Sequence, residues 1–301
     1  MSCYKPITGY RSKAGRNENG AWPIVFSSDK GYLDMPVEVP CGQCIGCRLE
    51  RSRQWAVRCM HEASLHEDNC FITLTYDEEH LDDHASLNKR DFQLFMKRLR
   101  KRFGEGIRYF HCGEYGELLQ RPHYHACLFN FDFPDKTLWT VRNGVRLYRS
   151  EALEELWPFG YSSIGSVTFD SAAYVARYIT KKITGDNADE YYQGREPEYI
   201  TMSRKPGIGA KWLEKYTEDV YPLDKVVLQT SKGAKLAKPP RYYDKIYDLS
   251  NPSEFERIRA KRVRKASVHS EDNTYERLAV REKVHQLRSK QLIRSYEQNS
   301  R

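Results

Sequence analysis

The chain has 301 residues, of which 40% are hydrophobic and 30% are charged. It is long enough for one large domain or two modest ones, each with a buried core. It contains no run of about 18 apolar residues, which excludes a transmembrane helix, and the polar residues 1–19 lack the apolar segment of a secretory signal. We therefore expect a protein that works inside a cell and away from membranes. Its eight cysteines are expected to be reduced thiols or metal ligands.

The net charge of +8 is unevenly distributed along the chain. Residues 251–301 contain 13 Lys and Arg against 7 Asp and Glu, so most of the excess lies in the last sixth of the sequence. Basic segments of this kind either neutralise the phosphates of a nucleic acid or stay solvated. The 21 tyrosines suit the stacking of bases, and they suit the packing of an ordinary sheet equally well.

Residues 1–70 are predicted to form a cysteine-rich N-terminal element followed by a helix, and residues 1–40 show no lasting hydrophobic period. A C-x2-C-x2-C pattern follows at Cys41, Cys44 and Cys47. Three thiolates at this spacing can hold zinc, and Cys3 is the expected fourth ligand because it would tie down the N-terminus. Cys59 and His61 are alternative fourth ligands. An iron–sulfur cluster is the alternative metal group.

Residues 71–220 are predicted to form an α+β domain. Hydrophobic periodicity predicts, in chain order, helix 48–65, strand 71–76, helix 88–103, strands 107–115 and 123–131, helix 150–157, strand 161–169 and helix 171–183, the last capped by Ser171 and ended by Gly185. The order β-α-β-β-α-β-α indicates a central, mainly antiparallel sheet flanked by helices. Helix 88–103 carries a basic face opposite its apolar stripe.

Residues 221–301 are predicted to be a linker followed by a basic helical tail. The linker is the Lys- and Pro-rich segment 232–241. The tail from residue 251 has a helical period but is very polar, with a break at residues 267–273. This tail is expected either to contact DNA or to be a solvated, partly disordered extension.

The segment RPHYHACLF, residues 121–129, places His123 and His125 two positions apart in a predicted strand. Side chains alternate along a strand, so both imidazoles leave the same face. The antiparallel hairpin brings Glu114 near the start of this strand, and a carboxylate beside two imidazoles favours Mg²⁺ or Mn²⁺. Glu117, in the connecting loop, is the competing carboxylate. A surface histidine pair that binds nothing is the plain alternative.

The segment YVARYITKK, residues 174–182, places Tyr174, Tyr178 and Lys181 on one stripe of a predicted helix. A phenolate that attacks a phosphodiester forms a tyrosyl link, which stores the energy of the cut bond. A second tyrosine can attack at the next junction, while a cation polarises the phosphate and the lysine offsets the developing charge. The alternative is an aromatic stripe packed on the sheet, with lysines that reach the solvent.

Together with FITLTY at residues 71–76, these two segments resemble the three motifs of rolling-circle replication initiators of the HUH endonuclease superfamily. The chain is more similar still to the replication initiation proteins of gokushovirus-type single-stranded DNA phages. The segments PCGQCIGCRLERSRQWAVRCMHEA and MSRKPGIG look like that group's own. The resemblance extends from about residue 3 to residue 212.

The resemblance implies a nuclease that cuts one strand of the double-stranded form at the viral origin. Such an enzyme stays linked to the 5′-phosphate through Tyr174 or Tyr178 and leaves a 3′-hydroxyl for a host DNA polymerase. The second tyrosine then permits cutting and rejoining into a unit circle. Single-stranded and origin DNA are the implied substrates, and the cytoplasm of the bacterial host is the implied location. Because no G-x4-G-K-[ST] pattern is present, we expect a host helicase to unwind the duplex.

Two other functions are open on the sequence alone. A non-catalytic, zinc-containing nucleic-acid-binding module predicts binding without cleavage and indifference to loss of His123. A metal-dependent hydrolase with water as its nucleophile predicts cleavage without any covalent adduct.

Overall fold

The computed structural model describes residues 3–18, 22–116, 119–142, 144–177, 188–230, 233–268 and 270–290. The strands within these residues are β1 (Ile7–Ser12), β2 (Ile24–Val25), β3 (Gly31–Val39), β4 (Asn69–Tyr76), β5 (Arg108–Tyr115), β6 (Pro122–Phe129), β7 (Thr137–Arg142), β8 (Val145–Arg149), β9 (Gly160–Gly165), β10 (Tyr199–Met202), β11 (Val226–Thr230) and β12 (Gly233–Ala237). The helices are α1 (Ile45–Ala63), α2 (Lys89–Phe103), α3 (Glu151–Leu156), α4 (Phe169–Arg177), α5 (Ala188–Tyr192), α6 (Ala210–Val220), α7 (Arg241–Ser250), α8 (Pro252–Ser267) and α9 (Tyr275–Lys290). No helix in this part of the chain is long and apolar enough to cross a membrane.

The chain divides into two compact units. The first comprises Met1–Glu50 with Arg259–Ile293, and the second comprises Arg51–Ile258 with Arg294–Arg301. The domain boundaries predicted from the sequence, at residues 70 and 220, stay predictions.

The first unit contains a three-stranded antiparallel sheet in the order β2-β1-β3. The expectation that residues 1–40 are irregular is therefore wrong. Most residues of β3 are exposed, so its sequence lacks the two-residue alternation that marks a half-buried strand. The same unit holds α9, where His285 Nδ1 lies 2.8 Å from the hydroxyl of Tyr4 and Glu282 forms a 3.4 Å ion pair with Lys5.

The second unit is built on an antiparallel sheet in the order β10-β5-β6-β4-β9-β8-β7. Helices pack on both faces of this sheet, which confirms the predicted α+β class with a central antiparallel sheet. Residues alternate along β4: Ile72 and Leu74 belong to the apolar core beneath α2 and α3. Phe71 belongs to the opposite core, beneath α1 and α4. The position of each side chain along a strand therefore decides which helix layer it meets.

The helix ends follow local hydrogen-bonding chemistry. Asn88 caps α2, because its side chain accepts a hydrogen bond from the N–H of Arg90. The predicted cap of α4 at Ser171 is wrong. Thr168 is the cap: its Oγ1 accepts from the N–H of Ser171 at 3.1 Å, and Ser171 Oγ accepts from the N–H of Thr168 at 2.8 Å. This reciprocal pair is a capping box, and it explains why α4 starts at Phe169 and β9 ends before it.

The C-terminal region departs from its sequence prediction in one place. The segment predicted to be a linker contributes to a hairpin of β11 and β12, whose exposed residues give no hydrophobic alternation. Beyond it, α8 and α9 agree with the predicted helical tail, and a short 3-10 helix at Ser270–Asn273 lies where the break was expected.

Candidate active site and cysteine cluster

Three neighbouring strands bring the predicted metal ligands together. His123 on β6 is paired across the ladder with Glu114 on β5. Thr75 and Thr73 on β4 are paired with His123 and His125 on the other side. Residues paired across an antiparallel ladder share a face, and this face is the one that packs against α1 and α4.

Two threonine hydroxyls hold the imidazole rings. Thr73 Oγ1 lies 3.0 Å from Nδ1 of His125, and Thr75 Oγ1 lies 2.9 Å from Nδ1 of His123. With the proton on Nδ1, each ring keeps a lone pair on Nε2 for a cation. Hydrogen bonds of this kind fix the tautomer and the ring orientation in metal sites.

Glu114 joins the histidine strand to the tyrosine helix. Its side chain is buried, with Oε1 2.7 Å from Nε2 of His125. The hydroxyl of Tyr174 donates a hydrogen bond to the same oxygen at 3.1 Å. The Tyr174 ring lies edge-on to the His125 ring, with centroids 5.0 Å apart. The phenol oxygen is therefore directly beside the carboxylate that neighbours the imidazoles.

The position of Tyr174 is set by the packing of α4. The side chain is only 5% exposed, and it belongs to the same apolar core as Phe71 and Val175. Ser52 Oγ on α1 donates a 2.8 Å hydrogen bond to the carbonyl oxygen of Ala173, one residue before the tyrosine. The hydroxyl thus reaches Glu114 from a helix fixed on two sides.

Electrostatics keep His123 neutral. Burial lowers the pKa of its imidazole to about 3, and the neighbouring His125 and Arg121 act in the same direction. The neutral imidazole is the form that binds a metal ion. Arg121 is itself fixed, because its Nη1 donates to the carbonyl oxygen of Tyr76 at 2.9 Å.

A glycine leaves room for the His123 ring. A Cβ added at Gly116 would lie 2.8 Å from Nε2 of His123 and 3.2 Å from Cδ2, closer than real Cβ atoms approach. The hairpin can therefore fold over the imidazole only because this position has no side chain.

The predicted catalytic residues are only partly within view. The structure brings Glu114, His125 and Tyr174 into direct contact and places His123 on the adjacent ladder position. Tyr178 and Lys181 lie outside the described residues, as does the competing carboxylate Glu117.

A second candidate metal site lies in the first unit. The four predicted cysteines, Cys3, Cys41, Cys44 and Cys47, are the group of described residues whose ligand atoms all lie within 4.8 Å of one another. The sulfur of Cys3 is 3.7 Å from that of Cys41 and 3.9 Å from that of Cys44. A tetrahedral zinc site with Zn–S bonds of about 2.3 Å requires sulfurs about 3.8 Å apart. The cluster therefore has the spacing of a single tetrahedral ion.

Backbone amides support this cluster. The N–H groups of Tyr4 and Cys44 donate to the sulfurs of Cys44 and Cys41, both at 3.3 Å. Burial alone would raise the pKa of the Cys44 thiol, but hydrogen bonds from the N–H groups of Tyr4 and Cys47 lower it to about 7. The alternative ligands lie elsewhere: Cys59 is buried in the core beneath α1, and His61 stacks on Trp212.

Sequence reasoning missed the supporting threonines. FITLTY repeats Thr at the two-residue period of a strand, so Thr73 and Thr75 share a face in the sequence itself. Their contact with the histidines depends on the pairing of β4 with β6, which are far apart in the chain and not joined by a hairpin. The periodicity was visible, but the partner strand was not.

The basic face predicted on α2 is partly used within the fold. Arg98 donates to the carbonyl oxygen of Leu156 through Nε at 3.1 Å and Nη2 at 2.8 Å. Arg102 forms an ion pair with Glu155. These side chains fix α3 against α2, and contact of this face with DNA stays a prediction.

Comparisons with known proteins define the class of this fold and site. The family model for the replication-associated protein ORF2 matches residues 69–183, which include the strands and helix of the candidate active site. No solved structure matches the chain.

Full-length relatives come from small phages. The chain is 39% identical over 272 residues to replication-associated protein VP4 of Bdellovibrio phage phiMH2K, which covers 87% of this chain and 82% of that protein. It is 34% identical over 273 residues to replication-associated protein ORF2 of Spiroplasma virus 4, covering 85% and 83%. It is 33% identical over 230 residues to replication-associated protein ORF4 of Chlamydia phage 1, covering 72% and 56%. The chain belongs to the replication-associated protein family of gokushovirus-type phages.

Proposed function

We propose that this replication protein is a metal-dependent endonuclease and strand transferase that nicks one strand at the viral origin through a tyrosyl 5′-phosphodiester and later rejoins the ends. The observation that carries this proposal is the hydrogen bond from Tyr174 to Glu114 Oε1, the oxygen that also contacts His125. A nucleophile and a group able to accept its proton are thereby in contact. Family membership supports a role in starting replication.

The chemistry of the cut follows from these contacts. The phenol oxygen of Tyr174 attacks the scissile phosphorus and forms a new P–O bond, while the bond from phosphorus to the 3′-oxygen breaks. The phenolic proton leaves toward Oε1 of Glu114, which accepts its hydrogen bond in this structure. The 3′-oxygen takes up a proton and becomes the primer end. The 5′-phosphate stays on the tyrosine, so the energy of the cut bond is kept for rejoining.

The residues present fit a divalent cation. His123 and His125 offer Nε2 atoms whose rings are fixed through Nδ1 by the two threonines, and Glu114 supplies a carboxylate that is 2% exposed. Two imidazoles and one carboxylate suit Mg²⁺ or Mn²⁺ and leave coordination positions for phosphate oxygens. When bound, such a cation polarises the scissile phosphate and offsets its developing charge.

The remaining parts of the proposal come from the sequence. Tyr178 is assigned the second attack, which releases a unit circle, and Lys181 is assigned to stabilise charge on the phosphate. The four cysteines are assigned a structural zinc, because an iron–sulfur cluster would hold their sulfurs further apart than 3.7–3.9 Å. Single-stranded and origin DNA, a host helicase and a host DNA polymerase are the proposed partners, in the cytoplasm of the bacterial host.

Covalent trapping tests the proposal. The protein is incubated with a supercoiled plasmid carrying the phage origin and with Mg²⁺ or Mn²⁺, and DNA-linked protein is measured after denaturation. We expect an adduct that persists in part in Tyr174→Phe and Tyr178→Phe and disappears in the double variant. Tyr161→Phe is the matched control, because Tyr161 lies on the same sheet, is 67% exposed and is not in the site.

Two outcomes contradict the proposal. Binding without cleavage that is indifferent to His123→Ala indicates the non-catalytic zinc module. Cleavage that continues without an adduct when both tyrosines are replaced indicates hydrolysis by water.

A further inference from the structure

A cleft of about 520 Å³ opens at the end of the sheet opposite the candidate active site. It lies where β5 begins and β6 ends, whereas Glu114 and His123 lie where β5 ends and β6 begins. Its charged lining includes one carboxylate, Glu105, and a set of cations: Arg100, Arg108, Arg204, Lys205 and Lys211. The cleft is thus separate from the proposed catalytic residues and strongly positive.

Two of these cations form a fixed wall. Arg100 Nη2 donates to the carbonyl oxygen of Ile107 at 2.9 Å, and Arg108 Nη2 donates to the carbonyl oxygen of Pro206 at 2.7 Å. Arg108 also forms an ion pair with the buried Glu62, which offsets its charge. Arg100 has no such counter-charge among the described residues. The rigid wall therefore adds about one positive charge to the cleft.

The other three cations lie at the rim. Arg204, Lys205 and Lys211 are exposed, and none of them forms an ion pair with another described residue. Like charges held close together repel each other, and a polyanion relieves this repulsion by neutralising them.

A histidine inside the cleft reports the positive potential. His66 lines the cleft, and its Nε2 is buried with no hydrogen-bond partner in the described part of the chain. Burial lowers the pKa of this imidazole, and the cations Arg108 and Lys211 lower it further, while Glu62 acts in the opposite direction. Positive charge in this cleft therefore acts on a group within it.

We propose that this cleft binds the phosphates of origin DNA that flanks the cleavage point, as a second contact distant from the active site. The position of the contact relative to the nick rests on the function proposed above. From His123 to Asn130 at the cleft is about seven residues, which is about 23 Å of strand at about 3.3 Å per residue. With a duplex rise of about 3.4 Å, the cleft would meet phosphates about seven base pairs from the cut. A protein that uses both contacts distinguishes a nick site within its flanking duplex from a bare single strand.

The test removes the three rim charges together. The variant is R204A with K205A and K211A, and its matched control is K215A with K225A and K245A, three exposed lysines of the same unit that do not line the cleft. DNA affinity is measured against salt concentration, with a set of duplex flanks lengthened one base pair at a time on either side of the cut. Thermal denaturation checks that both variants fold as the wild type does.

The wild type and the control are expected to gain affinity when one flank reaches about seven base pairs, and the cleft variant is not. If each of the three side chains meets one phosphate, the slope of log affinity against log salt falls by about 3 in the cleft variant. Equal losses in the cleft variant and the control, or a wild-type slope in the cleft variant, would overturn the proposal. Affinity that steps with flank length in the wild type and the cleft variant alike would also overturn it.

The outcome is separable from that of the proposed nuclease. Adduct formation on a short single strand that ends within about three nucleotides of the cut is expected to be the same in the cleft variant and the wild type. Absence of any adduct in the wild type would contradict the nuclease while leaving the salt slope as a valid test of the cleft. Competition by free inorganic phosphate that abolishes the step at millimolar concentration would show a small-anion site and overturn the DNA contact.

Discussion

Gly116→Ala tests whether the Nε2 atom of His123 must stay where the structure places it. The added Cβ would lie 2.8 Å from this nitrogen, whereas ordinary contacts of a Cβ lie at 3.4 Å or more, so the ring has to retreat by about 0.6 Å. Metal–ligand distances hold to within about 0.2 Å, so a ligand displaced this far is lost or strained. The ring cannot simply pivot away, because Thr75 holds its Nδ1 at 2.9 Å.

We expect the Gly116→Ala variant to bind Mn²⁺ about 10–100-fold more weakly than the wild type, a loss typical of disturbed support around a metal ligand. Metal affinity is measured by calorimetry, and nicking is titrated against Mn²⁺ on the origin plasmid. Gly165→Ala is the matched control, because its Cβ would meet Leu147 and Phe71 at 3.8 Å, an ordinary contact. A Gly116→Ala variant with the metal affinity and nicking of the wild type would refute the reasoning.

Three further predictions follow from the same contacts. Thr75→Val keeps the shape of the side chain but removes the hydroxyl that fixes His123, so Mn²⁺ affinity should fall about 10–100-fold and be restored in Thr75→Ser; unchanged titration by Mn²⁺ would contradict this role. Cys44→Ser should lose the zinc found by elemental analysis of the wild type and lower the melting temperature, whereas wild-type protein without zinc would remove the assignment. Acid should destabilise the fold through His61 and His111, since burial lowers the pKa of His61 to about 4 and that of His111 well below its usual value. The unfolded state takes up these protons below about pH 6.5, so the free energy of unfolding should drop by about 1.4 kcal/mol per pH unit for each group down to its folded-state pKa; a flat profile of urea denaturation from about pH 6.5 to about pH 4 would disprove it.

Strand periodicity carried most of the site prediction. The two-residue period placed His123 and His125 on one face, and the hairpin placed Glu114 at the cross-strand position of His123. The carboxylate nevertheless contacts His125, the diagonal neighbour, and not the residue directly opposite. Pairing across a hairpin follows from the sequence, whereas the direction of a long side chain within the face depends on what packs above it, here Tyr174.

Long-range packing explains what the sequence could not supply. The sheet of β1 to β3 and the hairpin of β11 and β12 are held by backbone pairing of largely exposed residues, so they lack the apolar pattern that predicts a strand. The positive cleft combines residues from segments that are distant in the chain, such as His66 and Lys211. No local motif joins these segments, and the charge of the cleft emerges only when the strands are placed.

The covalent attachment site gives the most direct test of the central claim, that a phenol beside Glu114 and the two imidazoles cuts the strand. The adduct formed on an origin oligonucleotide is digested with nuclease and protease, and the peptide that retains a nucleotide is sequenced by mass spectrometry. The account predicts a nucleotide on Tyr174 or Tyr178. A nucleotide on any other residue, or a cut strand with no modified peptide, would contradict it.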